Sequence, residues 1–165
     1  YLLTEEVLKK ILSEINFKIK IKKNFQKHSI FIYAVKSEKE INYNLPNLKK
    51  YQNLYKKNII FYKKKISKFN KVFLGRNRSS NFIFGAHIFS QNLIFNGLNI
   101  KNIKCILDNN HQKKNKYCYG TNLIVKSPKI LKNYSNPVVI LRAGPYNLEI
   151  KKKIINTINK NTKFI

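Results

Sequence analysis

Methionine and tryptophan are absent from this chain of 165 residues, and cysteine, proline and glycine are scarce, at two, four and five. Two cysteines, Cys105 and Cys118, are too few for a disulfide framework or a paired C-x-x-C metal site. Reduced thiols in a cytoplasmic protein are the expectation. The first residue is Tyr1. A complete reading frame opens with Met, so the chain reads as a piece of a longer protein. Acids are scarce too, with seven against 34 Lys and Arg, and Asp108 is the only aspartate. Paired catalytic carboxylates, a nucleophile elbow and a P-loop are absent. No apolar run approaches the roughly 18 residues that span a bilayer, and no signal peptide is present; no membrane partner is expected.

What is abundant is apolar and basic. Hydrophobic residues make up 43%, enough for a packed core and against global disorder. The formal charge of +27 invites a nucleic-acid reading, because basic surfaces release counterions from phosphate backbones. Arginine, however, occurs only at Arg76, Arg78 and Arg142. Base readout uses the guanidinium fork, whereas Lys is a point charge. A solvated Lys surface is therefore favoured over specific nucleic-acid binding.

Along the chain, Thr4 is an expected N-cap for a helix over 4–15, with Glu5 and Glu6 at its positive end. Phe17, Ile19 and Ile21 alternate with Lys as a strand, a polar connection follows at Lys22–Lys27, and His28–Val35 is a second strand. The short link suits an antiparallel pair. A polar linker leads to Pro46, and Leu48, Tyr51, Tyr55, Ile59, Tyr62, Ile66 and Phe69 then form one stripe of a long amphipathic helix. A polar hinge, Gly75–Ser80, closes it. From Asn81 strands and helices alternate. Strands are expected at Asn81–Phe84, Ile103–Leu107, Leu123–Val125, Pro137–Leu141 and Lys163–Ile165. Helices are expected at Ile88–Phe95, from Ser127-Pro128 to Asn133, and over Pro145–Asn159. That order predicts an α/β fold with a mostly parallel sheet. Three regions follow: 1–36 (helix and strand pair), 37–80 (linker with helix) and 81–165 (α/β domain).

Ligands of open α/β sheets bind beyond the carboxyl ends of strands. Three such ends are Gly85-Ala86-His87, Asp108-Asn109-Asn110 and Arg142-Ala143-Gly144. Gly85 before a helix suits close approach of a phosphate, and equally suits a plain tight turn. Asp108 stands where dinucleotide folds place a ribose-binding acid, and where an Asp-Asn turn would start a loop. His87 fits a helix-start residue, a general base or a phosphate donor. The candidate substrate-binding residues are thus Gly85, Ala86, His87 and Asp108, with no catalytic residue assigned. His28 and His111 have no partners at metal spacing, so no metal is assigned.

Several stretches carry a family resemblance. Ile83-Phe84-Gly85-Ala86-His87-Ile88-Phe89-Ser90-Gln91, Ile106-Leu107-Asp108-Asn109-Asn110, Tyr119-Gly120-Thr121 and Ser127-Pro128 together resemble the C-terminal domain of sugar C-methyltransferases. Tyr1–Leu8, Asn16-Phe17 and the strand pair are similar to the closing part of a class I methyltransferase domain. Asn16 and Asn115 stand where such proteins commonly have Gly, and Phe89-Ser90 where a Lys-Gly pair is frequent. The resemblance implies a Rossmann-like C-terminal domain behind an upstream methyltransferase domain. It implies a parent enzyme that uses S-adenosylmethionine, bound at a site outside this chain, to methylate a nucleotide-linked sugar or similar small acceptor. The chain alone would then be inactive. A stand-alone Lys-rich nucleotide- or nucleic-acid-binding module is the alternative.

Overall fold

The computed structural model describes residues 4–25, 29–41, 43 and 47–165. Contacts divide the chain into two compact units, Tyr1–Tyr55 and Lys56–Ile165.

In the first unit, helix α1 (Glu5–Glu14) starts as expected, with the Val7 N–H donating to Thr4 Oγ1 at 3.3 Å. Glu5 pairs with Lys9 at 2.8 Å and with Lys22 at 3.0 Å, tying the helix to the next strand. Strand β1 (Phe17–Phe25) runs antiparallel to β2 (Ser29–Lys36), with a bulge between Ile19 and Ile21. β1 is longer than its alternation suggests. The residues from Lys22 on are exposed on the ribbon and pair through backbone with the apolar run of β2, so a polar side chain costs nothing there. The expected connection falls partly at 26–28, and His28 and Pro46 lie outside the described residues.

Helix α2 (Leu48–Phe73) is the long linking helix. Its stripe buries only toward the C-terminal end, at Ile66, Phe69 and Phe73, while Leu48 and Tyr55 are exposed.

The second unit is built on a parallel sheet of order β5-β4-β3-β6-β7. The strands are β3 (Asn81–Phe84), β4 (Cys105–Leu107), β5 (Val125–Lys126), β6 (Val138–Leu141) and β7 (Lys163–Phe164). Alternate residues face opposite sides. Ile83, Ile106 and Ile140 pack under α2 residues Ile66, Phe69 and Phe73 and under Leu93 of α3 (Ile88–Phe95). Phe82, Phe84, Leu107 and Val139 pack against Leu131 and against Ile154 of α4 (Asn147–Thr157). Both faces are covered, which is why β6 is apolar throughout and β3 is apolar after Asn81. This is the Rossmann-like α/β architecture expected from the sequence.

Some boundaries move. Residues Pro128–Asn133 form a 3₁₀ helix rather than an α-helix, although Ser127 caps it as read. Six residues bounded by Tyr134 in extended conformation are too short to settle into α geometry. β5 begins at Val125 because the Leu123 carbonyl is already taken by the Cys118 N–H at 2.9 Å. The polar hinge is a set of staples. Arg76 donates from Nε to Asn81 Oδ1 and from Nη2 to the Asn136 carbonyl, and Arg78 Nε donates to the Ile103 carbonyl.

The only described non-glycine residues with positive φ are Asn16 at 57° and Asn115 at 63°. Asparagine is the residue that most readily substitutes for glycine in left-handed backbone. Asn16→Gly should leave the urea midpoint nearly unchanged, whereas Asn16→Ala should cost about 1 kcal/mol; equal midpoints for the two variants would refute the conformational account.

Candidate functional site

β3 is the central strand, and the chain leaves it first toward β4 and β5, then crosses back to β6. The reversal lies between β3 and β6, and the crevice beyond their carboxyl ends is where open α/β sheets take ligands. Gly85-Ala86-His87 and Arg142-Ala143-Gly144 flank it, and Asp108 stands at the end of adjoining β4.

Asp108 is engaged internally. Its Oδ2 accepts from the Ala86 N–H at 2.8 Å, and its Oδ1 accepts from the Asn110 N–H at 2.8 Å. Lys113 Nζ lies 3.4 Å from Oδ2 and donates to the Ala86 carbonyl at 2.8 Å. The carboxylate therefore makes the Asp-Asn turn and also fastens the β3 turn to the β4 turn. Burial alone would raise its pKa, but the two N–H groups and Lys113 together hold it below the ordinary value.

Gly85 has φ +102°, and a Cβ there would press on the His87 ring, which would have to shift. The His87 ring thus rests against the Gly85 backbone. His87 is the N-cap of α3, with Nδ1 accepting from the Phe89 N–H at 3.3 Å. Burial lowers its pKa, with Asp108 opposing and Lys113 adding to the shift, so the ring is neutral at pH 7 and its Nδ1 lone pair is occupied. The buried Ser90 hydroxyl donates to the Gly85 carbonyl. Among the described residues, the N–H groups of His87 and Ile88 carry no hydrogen bond.

Across the crevice, Asn147 Oδ1 accepts from the Ala143 N–H at 2.7 Å and shapes the turn after β6. A cavity of about 120 Å³ opens between Phe89, Arg142, Gly144 and Asn147. Arg142 lies over the Tyr62 ring, 5.7 Å from its centre, and Nη2 donates to Tyr62 Oη at 3.4 Å. Sequence reading placed Arg142 at a strand end without giving it a role, and it did not connect Tyr62 to the edge at all. The usable signal was compositional, a rare Arg in a chain that otherwise uses Lys.

Elsewhere, an apolar groove of about 390 Å³ lies between α3 and the turn at Tyr119-Gly120-Thr121. Among the described residues no group of three His, Cys, Asp or Glu side chains is placed to hold a metal, and no helix is long and apolar enough to cross a membrane. Cys105 and Cys118 are both buried, and burial raises both thiols, Cys105 to about 11; neither is a nucleophile at neutral pH.

Compared with known proteins, residues 16–165 match the family model described as C-methyltransferase C-terminal domain. No curated protein and no solved structure matches the chain.

Two expectations follow from this network. Asp108→Asn should cost roughly 1–3 kcal/mol at pH 7. Because the folded pKa is depressed, that contribution is present above the unfolded value near 3.9 and is lost as pH falls through the folded one. Wild type and variant should converge in acid urea titrations, and a gap independent of pH would contradict the assignment. Gly85→Ala should destabilise by about 1–2 kcal/mol or more, and adding His87→Ala should restore part of that loss; strict additivity in the double-mutant cycle would remove the ring-to-glycine contact.

Proposed function

The chain belongs to the C-methyltransferase C-terminal domain family, and from that premise we propose that it holds and covers a small-molecule acceptor while another domain of the same protein transfers the methyl group. The observation that carries this reading is the β3/β6 crevice, whose walls are set by Asp108 and Asn147 before any ligand arrives. Preset geometry of this kind lowers the entropic cost of orienting an acceptor. A nucleotide-linked sugar is the proposed acceptor class, on the family resemblance.

S-adenosylmethionine does not fit this crevice. Both oxygens of Asp108 already accept internal donors and fix the turns, which turns the carboxylate away from the role of a dedicated ribose acceptor. The space over Gly85 is filled by the His87 ring. In this reading the methyl donor belongs to another domain of the protein. Methylation at carbon also needs a base to remove a proton, and His87 has its Nδ1 lone pair committed to the helix cap. What the crevice residues supply is position. Gly85 and Ala86 form the floor, His87 the rim, and Asp108 acts through the backbone it fixes. Two buried, unpaired cysteines support a reducing, cytoplasmic setting.

The charge of +27 favours one rival, a Lys-driven nucleic-acid module. In the full-length protein, His87→Ala and Asp108→Asn should raise the acceptor KM about tenfold, equivalent to 1.4 kcal/mol, with the KM for S-adenosylmethionine unchanged. An unaltered acceptor KM would sink the crevice reading, and tight RNA or DNA binding that persists at physiological salt would favour the rival.

A further inference from the structure

The three arginines are held differently. Arg76 and Arg78 both donate to backbone carbonyls and staple the start of the sheet. Arg142 donates only to the Tyr62 hydroxyl, and the described ion pairs include no carboxylate partner for it. It is half-buried rather than spread into solvent. Lys65, one turn along α2 from Tyr62, is half-buried as well, with its Nζ 4.6 Å from the Phe61 ring centre. Burial first, then the charges of Arg142 and Lys68, lower its pKa. Cations near one another without an anion repel, and an anion bound beside Arg142 would relieve that repulsion.

We propose that Arg142, seated on Tyr62, is the anchor for a phosphoryl group of the bound acceptor. This rests on the reading of the crevice as the acceptor site. The cavity of about 120 Å³ beside Arg142 has room for one such group rather than a whole nucleotide. Asn147 and Gly144 line the same cavity, so the group would meet the turn into α4 as well as the guanidinium. Phosphate oxygens match the guanidinium fork two at a time. The Tyr62 ring fixes the plane of that fork through its face and its hydroxyl. Lys replaces Arg poorly in such a seat, because an ammonium neither stacks nor donates in parallel pairs. That gives a physical reason for an arginine here in a chain whose other cations are, apart from Arg76 and Arg78, all lysine.

The test uses the full-length protein with inorganic pyrophosphate as probe, in 150 mM salt, read by calorimetry and by thermal shift. Wild type should bind saturably and melt higher with the ligand. Arg142→Gln and Arg142→Lys should each weaken binding tenfold or more. Lys152→Gln, an exposed lysine of α4, should bind as wild type. Without ligand, Arg142→Gln should melt no lower than wild type, since it relieves a repulsion. Undiminished binding by Arg142→Gln, or equal weakening by Lys152→Gln, overturns the anchor. Measured alongside, the acceptor KM separates the two readings. If Arg142→Gln loses pyrophosphate but keeps the acceptor KM, the anion site stands and the acceptor reading fails. If the acceptor KM rises with Asp108→Asn while Arg142→Gln still binds pyrophosphate, the acceptor reading stands and the anchor falls.

Discussion

A single carboxylate ties together the turns that follow two neighbouring strands. Asp108 takes the Ala86 N–H from the turn after β3 and the Asn110 N–H from its own turn, and Lys113 closes the loop onto the Ala86 carbonyl. The backbone ladder reaches as far as the Gly85 N–H, which donates to the Leu107 carbonyl at 2.7 Å, and beyond it the side chain of Asp108 takes over. Without this acceptor, the glycine turn, the cap at His87 and the start of α3 would each have to be held by the loop itself. Only one other acid, Glu149, lies between Lys56 and Ile165, so nothing else in the unit is placed to do the same work.

The crevice has an unequal charge distribution as a result. Its one negative group is turned inward and satisfied, and its open wall carries Arg142. A site of this kind attracts anions without exposing a carboxylate that would repel them. The proposed division of labour between a chemical domain and a holding domain accords with what the crevice side chains are already doing.

Much of the second unit was legible. β3, β4 and β6 are short apolar runs ending at Gly85, Asp108 and Arg142, and burial on both faces leaves little room for any other pattern. The caps at Thr4 and Ser127 were readable because a side-chain oxygen before a helix has one efficient use. The position of Asp108 was legible, but its partner was not. Whether a carboxylate accepts from its own backbone or from a ligand depends on turn geometry that spacing does not encode. Tyr62 and Arg142 are far apart in sequence and meet only because α2 lies on the sheet. How far α2 is covered was not legible either, since a stripe shows which face is apolar and not how much of it is buried.

All five glycines of the chain have positive φ, and the two described non-glycine residues that share this backbone region are both asparagine. Glycine codons begin with two guanines, whereas those of asparagine, lysine and isoleucine are rich in adenine and uracil. In a gene drifting toward A and T, glycine would be lost first where any residue serves and last where the chain turns left-handed. Asn16 and Asn115 are left-handed corners where such a drift would meet an amino acid the backbone accepts. Gly85, wedged beneath an imidazole, is a corner where it has no substitute to offer.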